Sequence, residues 1–217
     1  MQHPPRQRGW SMIELMIGLL IGLFIAAVGS TMFVGQLRTS RLLLNEARLS
    51  QDLRTASDVI ARDLRRSGYF GGATDAGRAN PYAAIGPAGA ASDAISLRYS
   101  MDATENNSVD SNEQFGFRLH AGVIELQLGA GNWQALTDAN TLTITRFNIS
   151  PDAQDISLAS FCTTPCAAGD THCPPHQQLL SVSVELSARL VSDSAVTRSL
   201  RSTVRTRNDT LIGTCGA

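Results

Sequence analysis

Four cysteines, Cys162, Cys166, Cys173 and Cys215, fall in the last quarter of the 217-residue chain, with His172 and His176 among them. The run Cys162-x3-Cys166-x6-Cys173-x2-His176 can be drawn as a zinc site, because thiolate and imidazole are the ligands zinc takes. The same even count reads as two disulfides if the chain is exported. A second cluster, Asp102, Glu105, Asp110 and Glu113 among Asn106, Asn107 and Asn112, offers the oxygens that calcium uses. Its spacing fits no calcium-loop template, and a solvated loop is the simpler reading. Arg201, Arg205 and Arg207 share a face of a strand and could meet phosphates or a partner's acids, although a solvated face is the default. Glu14 sits near the start of a long apolar run, where a carboxylate costs about 2.5 kcal/mol or more at the centre of a bilayer and less near its surface.

No catalytic set stands out. His120 is alone, and there is neither a Gly-x-Ser-x-Gly elbow nor a paired-histidine zinc motif. All 18 basic residues are arginine, which excludes a phosphate-loop lysine, Schiff-base chemistry and Ser–Lys catalysis. The formal net charge of −1 gives no general push toward nucleic acid. The expectation is a protein that is not an enzyme and carries no cofactor and no metal.

The N-terminal elements decide the compartment. Residues 1–9 are short and basic, with Arg6 and Arg8 and no acid. From Leu15 to Leu37 run 23 residues without a charge. As a helix they reach about 35 Å, enough for a hydrocarbon core of roughly 30 Å. The arginines then stay cytoplasmic and the remainder crosses. A cleaved signal peptide is the plain alternative, with Ala27-Val28-Gly29 as a poor site. Against it stand the continuation of the run beyond that point and the presence of Glu14. Export favours disulfides over zinc. Three connectivities are open; a Cys173–Cys215 bridge would contribute about 4 kcal/mol by loop entropy and a Cys162–Cys166 bridge about 2.

Beyond the apolar run, Leu42, Leu49, Leu53, Ala56, Ile60 and Leu64 recur at helical spacing and make one stripe. Arg54, Asp58 and Arg62 stand four apart on the other side. The pattern predicts one helix to about Ser67, with Gly68 as its cap. Gly18 and Gly22 form a small-xxx-small pair, which fits close helix packing and ordinary membrane-helix composition equally well. Gly29-Ser30-Thr31 is a place where the helix could soften. From Gly71 to Ala94 the chain reads as an irregular connection. Alternating segments follow at Phe115–Leu119, Val123–Leu128 and Trp133–Leu136. Thr141 to Ile149 changes phase at Arg146, which suggests a bulge. Leu180 to Leu190 alternates most clearly, and Ser192–Ala195 can turn it onto Val196–Arg207. The fold expected is α+β, a long N-terminal helix packed on an antiparallel β-sheet head.

The octet Gly9-Trp10-Ser11-Met12-Ile13-Glu14-Leu15-Met16 resembles the type IV prepilin signature. It has a basic leader ending in glycine, an apolar first mature residue and glutamate fifth after the junction. The resemblance implies cleavage after Gly9 by a prepilin peptidase and N-methylation at Trp10. It also implies that Glu14 neutralises a neighbouring subunit's terminal amine in a filament. Ala61–Gly71 resembles the helix end of PilW-type minor pilins, and Thr203–Asn208 resembles their C-terminal strand.

The organisation that follows is a leader at 1–9, a transmembrane and filament-core helix at 10–37, its amphipathic continuation at 38–67, and a periplasmic head with a disulfide loop at 68–217. The implied protein is a minor pilin of the type IV pilus that starts or caps assembly and serves twitching motility and adhesion. It would begin in the inner membrane as a single-pass protein and pass to the pilus. Its implied partners are prepilin peptidase, the major and other minor pilins, and the inner-membrane assembly platform. A minor pseudopilin of a type II secretion system and a DNA- or surface-binding pilin are the rivals.

Overall fold

The computed structural model of the chain describes residues 9–72, 80–87 and 92–216; most of the leader expected at 1–9 lies outside them. Helix α1 runs from Met12 to Arg66. Ser11 starts it as half of a capping box. The Ile13 amide donates to Ser11 Oγ at 3.4 Å, and the Ser11 amide donates to Glu14 Oε2 at 3.1 Å. The helix does not break at Gly29-Ser30-Thr31. Ser30 Oγ donates to the Ala26 carbonyl and Thr31 Oγ1 to that of Val28, each at 2.8 Å, so both hydroxyls are satisfied without leaving the helix.

By contact the chain divides into two units, Met1–Ala47 and Arg48–Ala217. The first holds the apolar part of α1, where the large side chains from Trp10 (83 % exposed) to Leu44 (69 %) all face outward. This helix is long and apolar enough to cross a membrane.

The second unit contains two antiparallel sheets. Strands β1 (Ala94–Arg98), β2 (Gln114–His120), β3 (Val123–Leu128) and β4 (Trp133–Ala135) pair in that order. β2 and β3 form a tight hairpin over Ala121 and Gly122, with φ of 49° and 78°. Both angles lie in the left-handed region that suits a two-residue turn between twisted strands. In the second sheet, β5 (Leu142–Ser157) pairs with β6 (His176–Leu190), and β6 with β7 (Thr197–Arg205). A short β8 (Thr210–Ile212) joins the free start of β6. Ser92 and Ile149 exchange backbone hydrogen bonds at 2.8 and 2.9 Å, stitching the first sheet's entry onto β5.

The core lies between the last turns of α1 and the inner faces of the strands. Leu49, Leu53, Ile60 and Leu64 meet Leu97, Phe117, Ile124, Ile149, Val184 and Leu186, all nearly or wholly inaccessible. Alternation puts Val182, Val184, Leu186, Ala188 and Leu190 on the buried face of β6, as the period of two requires. The phase change in β5 is a register shift between Ile144 and Arg146.

Four details differ from the sequence reading. Leu42 belongs to the apolar stripe by spacing but is 41 % exposed, because burial of the helix begins at Leu49. Strand β1 forms just after the Gly/Ala/Pro connection, where its short Ile95/Leu97 alternation gives little signal. β5 continues past Pro151 to Ser157 through polar residues, carried by pairing with β6 rather than by burial. Arg207 lies beyond the end of β7, so it does not share a strand face with Arg201 and Arg205.

Candidate functional site

At the head of α1, Gly9, Trp10 and Glu14 are all exposed. The Glu14 carboxylate is held against the first turn by the Ser11 amide, at the helix end whose dipole favours negative charge. The Ser-x-x-Glu spacing of that capping box is legible in the sequence, although the reading above assigned Glu14 only a partner outside the chain. Gly18 and Gly22 also lie open, with nothing within 4 Å of an added Cβ.

The two local resemblances, Ala61–Gly71 and Thr203–Asn208, meet in space. Gly68 closes α1 with φ +74°, a conformation that a side chain at Cβ disfavours. Its amide donates to the Arg98 carbonyl at 2.8 Å. Asn208 Nδ2 donates to the Ser67 carbonyl at 2.9 Å, Asn80 Nδ2 to that of Gly68 at 2.8 Å, and the Arg207 amide to that of Arg65 at 3.3 Å. Carbonyls left over at the helix C-terminus therefore find donors from two distant segments, Asn80 and Arg207-Asn208, while the Gly68 amide finds its acceptor on a third, at Arg98. The Arg66 guanidinium lies 4.4 Å over the Tyr99 ring, which stacks on Phe115. Asp63, buried one turn before, is raised above the ordinary carboxylate range by burial, against the pull of Arg66 and Arg62.

The cysteines pair as Cys162–Cys215 and Cys166–Cys173, with no free thiol among the described residues. The first bridge ties the loop between β5 and β6 to the segment after β8. The second closes that loop on itself. Neither matches the two pairings weighed individually above; spacing alone could not choose among three. With all four sulfurs used, His172 and His176 have no thiolate partners for zinc.

Among the acids, Asp102, Asp110 and Glu113 converge within 4.8 Å. Glu113 is wholly inaccessible, in contrast to the solvated loop expected there. It accepts from the Met101 amide at 2.7 Å and from the Asp110 amide at 2.9 Å, and the Tyr82 hydroxyl lies 2.9 Å away. Tyr82 is itself inaccessible and its hydroxyl is held well above its usual value, by burial first and then by Glu113. Glu113 thus organises a loop with its hydrogen bonds already committed. Asp102 and Asp110 are likewise taken up, accepting from the amide and Nδ2 of Asn106 at 3.1 and 2.9 Å.

On the outer face of the first sheet, Arg118 lies 2.6 Å from Glu125 and 4.1 Å over the Trp133 ring, and His120 is 3.2 Å from Glu125. Hydrogen bonding from Arg118, foremost, holds the Glu125 carboxyl below its ordinary range. On the second sheet, Arg201 stands directly opposite Glu185, and Arg205 pairs with Asp209 at 2.9 Å.

A family model described as prepilin peptidase-dependent protein B matches residues 42–206. No curated protein and no solved structure matches the chain. The match covers the second half of α1 and the head through β7, while the octet Gly9–Met16, β8 and Cys215 lie outside it. The long apolar helix, the antiparallel head and this match agree: the chain is a type IV pilin-related protein and belongs to the prepilin peptidase-dependent protein B family.

Proposed function

We propose that this protein is a minor pilin of the type IV pilus, of the PilW type, that starts pilus assembly or caps the tip. The observation that carries the reading is the apolar half of α1, every large side chain of which is exposed in the single chain. Such a surface needs lipid before assembly and neighbouring helices after it. In this account a prepilin peptidase cuts after Gly9, Trp10 becomes the methylated N-terminus, and the protein waits in the inner membrane with its head in the periplasm. Glu14 then exchanges its place in the capping box for the terminal amine of a neighbour. Opposite charges in a low-dielectric bundle are tolerable only as partners.

The head acts as a contact surface toward other minor pilins, the major pilin and the assembly platform, and does no catalysis. Placement at the tip follows from a large head that is awkward to repeat along a filament. A preformed tip complex replaces a costly nucleus of major subunits. Deleting the gene is expected to abolish or sharply reduce surface pili and twitching, and with them pilus-borne adhesion, while protein secretion stays normal. Pili counted by electron microscopy, with and without blocked retraction, test this. Normal counts in both backgrounds with a secretion defect would move the protein to the pseudopilins.

A further inference from the structure

Four arginines from two distant segments converge at the end of α1. Arg65 and Arg66 occupy its last turn; Arg205 closes β7 and Arg207 follows it. Two shallow clefts share Arg65 and Arg207. One, of about 320 Å³, is completed by Arg66, Tyr69, Ser100 and Asn208. The other, of about 300 Å³, is completed by Arg205 and Thr206. Hydrogen bonds to the helix-end carbonyls fix the convergence, from the Arg207 amide to Arg65 and from the Asn208 side chain to Ser67.

The charges here do not balance. Arg205 has Asp209 at 2.9 Å, and Arg66 has the Tyr99 ring and the field of Asp63. No acid pairs with Arg65 or Arg207 among the described residues. The dipole at a helix C-terminus favours Arg65, but Arg207 is in no helix. Among the described residues, the buried side-chain oxygens without a hydrogen-bond partner, Ser67 Oγ and Asp209 Oδ1, both belong to the segments that meet at this point.

We propose that this cleft docks an acidic segment of a partner polypeptide, with a carboxylate taken by Arg65 and Arg207. The planar guanidinium fork matches a carboxylate with two parallel hydrogen bonds. Tyr69, half exposed on the rim, adds the residue type that with arginine anchors protein interfaces. Nucleic acid fits less well, because a phosphate backbone needs a continuous basic track. Here the adjoining sheet face carries Asp152 and Glu185 among its serines, and Arg201 faces Glu185. The site belongs to the head and stands apart from helix packing in a filament.

The test uses the full chain in detergent micelles at low salt, with a fluorescent peptide of six glutamates spaced by glycine as probe. Saturable binding is expected, weakened at least tenfold in R65Q/R207Q and less than twofold in R201Q. R65K/R207K, which keeps charge but loses the fork, should fall between. A twelve-residue oligothymidylate and inorganic phosphate are run in parallel. Tighter oligothymidylate binding through the same two arginines would overturn the proposal in favour of nucleic acid. Absence of saturable peptide binding, equal loss in R201Q, or phosphate competing as well as the peptide would overturn it outright. None of these outcomes touches the filament reading, which pilus counts decide.

Discussion

Replacing Glu113 should unfold more of this protein's stability than any other exposed-looking acid in the sequence. Glu113→Ala removes the acceptor from two backbone amides, Met101 and Asp110, and from the Tyr82 hydroxyl. Tyr82 can turn fully toward the Ser108 carbonyl at 2.8 Å, so its loss is partial. The two amides make their hydrogen bonds to Glu113 and to no second acceptor among the described residues. An orphaned buried donor costs about 1–3 kcal/mol, and two therefore cost about 2–6. Met101 and Asp110 are themselves exposed, so water reaches their rim and the figure settles near 3 kcal/mol. Glu113→Gln keeps one oxygen but points an amide nitrogen at a remaining donor, for a loss of about half that. With a urea slope near 2 kcal/mol per molar, the alanine variant's midpoint should fall by about 1.5 M. Near-UV circular dichroism of the full chain in detergent reads the head, whose aromatic rings are mostly packed. A fall below about 0.3 M, or a glutamine variant as damaged as the alanine one, would refute the buried-hub reasoning.

Three further outcomes follow from the same geometry. Glu14→Ala should insert into membranes normally yet be depleted in sheared pili, since insertion loses nothing by removal of a charge from lipid; wild-type abundance in pili would show that Glu14 has no neighbour to neutralise. Removing Cys162–Cys215, whose residues are 53 apart, should cost about 4 kcal/mol by loop entropy and removing Cys166–Cys173, 7 apart, about 2; urea midpoints of the paired serine variants that coincide, or reverse, would contradict this order. Asp63 has a folded value raised by burial, so its contribution is present below its ordinary 3.8 and drains away as pH rises through the raised value; Asp63→Asn should therefore gain on the wild type between pH 4 and pH 7 in urea unfolding, and a constant difference would sink the assignment.

How far the sequence carried the account depends on the kind of signal. The helix was legible because charge-free length, stripe and glycine cap all repeat along one axis, as with Leu49 to Leu64 and Gly68. β6 was legible for the same reason at period two, and Arg146 marked the bulge by breaking that period. β1 was not, since only Ile95 and Leu97 alternate before Tyr99 and the loop. The distal half of β5 was not either, because Ala153, Gln154 and Asp155 are ordered by a partner strand. Glu113 looked solvated among Asn and Asp residues; its burial depends on Tyr82, some thirty residues away, arriving beneath it. The meeting of Arg65 with Arg207, and of Asn208 with the helix end, is likewise a property of the chain's return path. Disulfide pairing belongs to the same class, since it depends on where β8 lies and not on spacing.

The central claim, that this helix is made by prepilin processing for assembly beside others like it, rests most directly on the mature N-terminus. Intact mass and N-terminal peptide sequencing of the membrane-extracted protein measure it. The account predicts a chain beginning at Trp10 with a methylated amine. A chain beginning near Ser30, as signal-peptide cleavage after Gly29 would leave it, would contradict the account.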